Sequence, residues 1–110
     1  MTDYVTDVKK YVSNVDEEAV AGLVRHYGIA LRNRDSSLVA ASDPAELARL
    51  RDRFLKKKLQ LTDGDDALDA AIAEVMETMK GDRSKSRVTV SYILAEKYGK
   101  LDMFHKKTKK

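Results

Sequence analysis

The sequence contains no cysteine, which excludes disulfides, thiol catalysis, iron–sulfur clusters and Cys-based zinc sites. It has a single proline, and no stretch is repetitive or of low complexity, so no linker divides it. No unbroken apolar run is longer than the four residues Leu38 to Ala41, far short of a membrane span. The opening residues, MTDYVTDVKK, lack the basic-then-apolar order of a secretory signal. A glycine-rich phosphate loop, an HExxH pair and a GxSxG elbow are missing too. These exclusions predict a non-enzymatic protein without cofactor, with the cytoplasm as its compartment.

What is present is a chain of 110 residues, enough for one domain that buries about two-thirds of its unfolded surface. Its net charge of +3 is unevenly placed. Lys106, Lys107, Lys109 and Lys110 carry four positive charges, so residues 1–105 sum to −1. The expected division is therefore a helical domain over 1–105 and a disordered basic tail over 106–110.

The helix signals are dense. Tyr4, Val5, Val8, Tyr11 and Val12 make one helical stripe. Asn14 or Asp16 can cap a second helix, whose apolar face is Ala19, Val20, Leu23, Val24 and Tyr27, with Gly28 closing it. Ile29 to Arg34 reads as a connection, and Asp35 to Ala41 as a short helical turn that points Leu38 and Val39 inward. Asp43, Pro44 and Glu46 then specify a helix start. The Asp caps, the Pro loses no needed donor, and the Glu reaches back in a capping box. Leu47, Leu50, Phe54 and Leu55 form that helix's buried stripe, while Arg49, Arg53, Lys56 and Lys57 lie away from it. The next helix holds Leu68, Ala71, Ile72, Val75, Met76 and Met79 and stops at Gly81. The last, Val88 to Gly99, is ambiguous: Val88, Val90 and Tyr92 alternate as in a strand, yet Val90, Ile93, Leu94 and Tyr98 fit a helical face. Helix is the reading taken. The fold class is all-α, a compact single domain of five or six short helices.

The segments DSSLVAASDPAEL, FLKKKLQL, LDAAIAEVMETM and RSKSRVTVSYILAEKYGK resemble a small family known as domain of unknown function 2853. The resemblance is close over residues 35–102 and looser over 1–34. It implies a bacterial, single-domain, mainly helical protein, and it carries over no catalytic residues.

Several constellations invite chemistry and meet a plainer explanation. Asp63, Asp65 and Glu74 fit positions of a calcium loop, but Leu68 occupies the place that needs glycine, and helix capping explains the acids. His26 falls in the last turn of its helix, where a cation suits the dipole; His105 lies near the tail. Met76, Met79, Tyr92, Tyr98 and Met103 sit at core spacing.

The sharpest functional hint is Arg83-Ser84-Lys85-Ser86-Arg87, where cations, hydroxyls and free N–H groups converge before a helix and suit a phosphate. The preceding helix and turn also follow a helix-turn-helix order. The leading expectation is a small helical protein acting by protein–protein contact or self-association. The alternative is a weak nucleic-acid or phosphate binder that uses Arg83, Ser84, Lys85, Arg87, Lys106 and Lys107.

Overall fold

The computed structural model describes residues 4–32, 37–39, 42–81 and 85–104. The order is α1 (Tyr4–Lys9), α2 (Glu17–Tyr27), a 3-10 turn (Gly28–Arg32), β1 (Leu38–Val39), α3 (Pro44–Arg49) running on as a π-helix (Leu50–Lys58), α4 (Asp65–Thr78), β2 (Lys85–Ser86), α5 (Arg87–Lys97) and a closing 3-10 turn (Leu101–Phe104). The all-α class is correct. Its radius of gyration, 13.0 Å, matches the ~13 Å of one folded unit of about 100 residues.

α5 sits at the centre. Val88, Thr89, Val90, Ser91, Tyr92, Leu94 and Ala95 are all buried, and α1, α2, α4 and the closing 3-10 turn pack around them. Burial on every side explains the mixed signal in the sequence. A helix surrounded by protein has no polar face to print a period of 3.6.

The caps act largely as their residue types predict. Asp16 is the cap of α2, accepting from the Ala19 N–H at 3.1 Å, while its own N–H donates to the Tyr92 hydroxyl at 2.8 Å. Asp43 caps α3, accepting from the Ala45 N–H at 3.0 Å. α4 runs unbroken from Asp65, so its acids start a helix and do not wrap an ion. Val8, Ala19, Val20, Leu23, Leu50, Phe54, Leu55, Leu68, Ala71, Ile72, Val75 and Met79 form the core, with Met76, Tyr98 and Met103 half-buried against it.

Two features depart from expectation. Leu38 and Val39 are extended, not helical, and pair antiparallel with Ser86 and Lys85. Val39 does point inward; the cap Asp35 lies outside the described residues. A two-residue ladder is too short to leave an alternating pattern. The second departure is the π-helix: Leu59 N–H donates to the Phe54 carbonyl at 2.8 Å, five residues back. Gln60, at φ 59°, then turns the chain through the left-handed region.

Candidate functional site

Several polar side chains of the interior are engaged with one another. The Arg87 guanidinium donates to Glu46 Oε2 at 2.5 Å and to the Leu38 carbonyl at 3.2 Å, and lies 5.8 Å from the centre of the Tyr27 ring. Arg49 holds the other oxygen of Glu46 at 2.9 Å. Burial opposes ionisation of Glu46, but the hydrogen bonds from Arg49 and Arg87 outweigh it and hold the carboxyl below its ordinary value. The Tyr27 and Ser91 hydroxyls share a hydrogen bond at 2.5 Å, and burial pushes the Tyr27 hydroxyl up to about 12. Thr89 donates to the Asp7 carboxylate.

Glu46 thus does not close a capping box. Its position in the first turn of α3 brings it within reach of two guanidinium groups, and charge-assisted bonds prevail over a neutral backbone N–H.

The residues before α5 are placed differently from a phosphate cradle. Lys85 is buried in β2, and Arg87 is bound by Glu46 and Leu38. The Ser86 hydroxyl is buried and has no hydrogen-bond partner among the described residues. Arg83, Ser84, His105, Lys106 and Lys107 lie outside the described residues. Among the described residues, no group of three or more His, Asp or Glu could hold a metal ion.

A different cationic surface stands out on the π-helix. One flank is zipped to acids: Arg51 pairs with Asp52 at 2.9 Å and with Asp69 of α4 at 3.2 Å, and Lys56 pairs with Asp52 and with Asp65 of α4. On the other flank Arg53 and Lys57, both exposed, and Lys58 make no ion pair among the described residues. Lys58 Nζ lies 5.5 Å from the centre of the Phe104 ring. That ring stacks 6.0 Å from Phe54, and the exposed His26 packs beside both, at 6.2 Å from Phe54 and 6.3 Å from Phe104. Its nearest ring is Tyr27, edge-on at 4.8 Å.

The local sequence explains this cluster. Phe54 and Lys58 are four apart on the π-helix and so share a side, next to the end of α2 that carries Arg25 and His26. Gly22 lets the closing turn approach: a Cβ there would stand 1.9 Å from the Phe104 carbonyl oxygen. Position near the end of α2 favours a charged imidazole, yet burial among the rings, with Lys58 adding to it, lowers the His26 pKa. The dipole expectation is overruled by these neighbours.

Family comparison fits this helical unit. The model described as "Protein of unknown function (DUF2853)" matches residues 3–102. The chain belongs to the DUF2853 family. No curated protein matches it. Nearly the whole described part of this DUF2853 protein falls within the match, including both flanks of the π-helix and the Glu46–Arg87 pair.

Proposed function

We propose that this DUF2853 protein is non-enzymatic and works by contact, in a bacterial cytoplasm, through the unpaired cationic flank of its π-helix. The observation that carries this reading is the division of charge across one helix. Acids from α4 neutralise Arg51 and Lys56, whereas the exposed Arg53 and Lys57 and the half-buried Lys58 have no carboxylate partner among the described residues. A surface of this kind suits an anionic partner. π-Helical turns are rare and occur frequently at functional sites. The interior polar groups support a contact role, because Glu46, Arg49, Arg87, Tyr27, Ser91, Thr89 and Asp7 are spent on holding elements together. No helix among the described residues is long and apolar enough to cross a membrane.

An acidic face of another protein is the first partner class. A second reading, nucleic acid, is favoured by one further observation: an exposed aromatic ring, His26, lies close enough to Lys58 to feel its charge. Salt separates the classes. Nucleic-acid binding weakens steeply as counterions return to the phosphates, so titrating duplex, single-stranded DNA and RNA at low and high salt tests it directly. Absence of binding to any of them at low salt eliminates the second reading. Sedimentation of the protein across concentration tests self-association.

A further inference from the structure

We infer that the His26–Lys58–Phe104 face binds single-stranded nucleic acid, with His26 stacking on an unpaired base and Arg53, Lys57 and Lys58 meeting the flanking phosphates. This inference rests on the nucleic-acid reading above and locates its site away from the residues before α5. Single-strand binding surfaces combine a cationic track with aromatic rings on which bases stack, and both are present here. The His26 ring is exposed and held from behind by Tyr27, Phe54 and Phe104, at centroid distances of 4.8, 6.2 and 6.3 Å. A ring fixed in this way loses little freedom when a base lands on it. Burial and the nearby Lys58 favour its neutral form, leaving the phosphates to the unpaired Arg and Lys side chains.

Duplex recognition asks for something else. A recognition helix must present a face to the major groove, and the helix that follows the basic run, α5, is buried along most of its length. Arg87, at its start, is already bound by Glu46 and Leu38. Residues 105–110 follow Phe104 directly and carry His105 and four lysines.

The test uses the full chain and fluorescent oligothymidine and oligouridine of about 15 nucleotides, a length that fills one site of this class. A duplex of equal length and polyglutamate serve as comparison ligands, at salt from about 50 to about 200 mM. The expected result is binding of both single strands, at least tenfold tighter than the duplex or polyglutamate. His26→Ala should weaken it by about 5-fold to 150-fold, the worth of one stacked base, while His26→Phe retains it. Lys57→Glu should weaken binding at least fivefold and flatten the salt dependence. Lys9→Glu, an equal charge change at an exposed position of α1, should weaken it less than threefold. Circular dichroism confirms that each variant is folded.

The outcomes are distinct. If the unaltered chain binds no nucleic acid at low salt, both the reading and the site fail. If it binds, but His26→Ala and Lys57→Glu behave like Lys9→Glu, the reading stands and this site is wrong. Equal affinity for the duplex overturns the single-strand assignment. Equal affinity for polyglutamate turns the face into a contact for an acidic protein.

Discussion

Glu46 illustrates how a residue chosen by local rules is claimed by distant ones. Three residues after Asp43 it fits a capping box, yet its oxygens are taken by Arg49 and by Arg87, which lies 41 positions away. The pair is largely buried, with side-chain exposures of 14% for Arg87 and 10% for Glu46. Removing one partner from such a pair leaves the other charge stranded, so Glu46→Ala should destabilise by about 3–5 kcal/mol in chemical denaturation. The same carboxyl sets an acid limb. Its folded pKa is lowered, so its contribution is complete above the unfolded carboxylate value of about 4.3 and fades as pH falls toward the lower folded one. Glu46→Gln should flatten the fall of melting temperature in that acid window. An unchanged acid limb would show that other carboxyls dominate it. Gly22 is a second case. Alanine normally favours a helix by about 1 kcal/mol over glycine, but here a Cβ would strike the Phe104 carbonyl. Gly22→Ala should therefore lower stability by about 1–3 kcal/mol, and a gain would mean that the closing turn gives way freely.

Helices were readable wherever one face met the core and the other met water. α2 and α3 announce themselves by cap residues and apolar spacing and α4 by apolar spacing alone, and the structure places their stripes inside. The π-helix was not readable, for a definite reason. Leu50, Phe54, Leu55 and Leu59 are spaced by four, five and nine, which satisfies an α-helix and a π-helix alike, and all four are buried. The backbone hydrogen bonding separates the two, as in the bond from Leu59 to the Phe54 carbonyl five residues back. Phe54 packs between Tyr27, His26 and Phe104, so Phe54→Ala should cost about 3–5 kcal/mol, measured in denaturant. A loss below about 1 kcal/mol would mean that this seam is not part of the cooperative core. The β1–β2 pairing was equally silent, because it joins two residues to two others across 46 positions.

The charge of the entire chain shows how far composition reaches toward a site. The lysine excess near residue 110 and the spacing of Arg49, Arg53 and Lys57 are visible in the sequence. Which of the central cations are neutralised is not, because that depends on Asp65 and Asp69 arriving with α4. The run before α5 drew attention for its density of cations, whereas the structure consumes Arg87 internally. Deleting residues 106–110 removes four lysines and no apolar anchor, so the melting temperature should stay within about a degree while the salt-dependent affinity for polyanions falls. A fall of several degrees would show that the segment docks on the domain.

The central place of α5 has a consequence for how the chain comes into being. Synthesis delivers α1, α2 and α4 before the helix around which they pack. Until α5 emerges, the growing polypeptide is a set of two-faced helices with no common centre. Phe104, which seats against Gly22 in α2, comes later still. Folding of this unit therefore waits for α5, which joins helices made well before it. A polypeptide arrested before Lys97 should stay protease-sensitive on the ribosome, with the early apolar faces open to chaperones until the keystone is made.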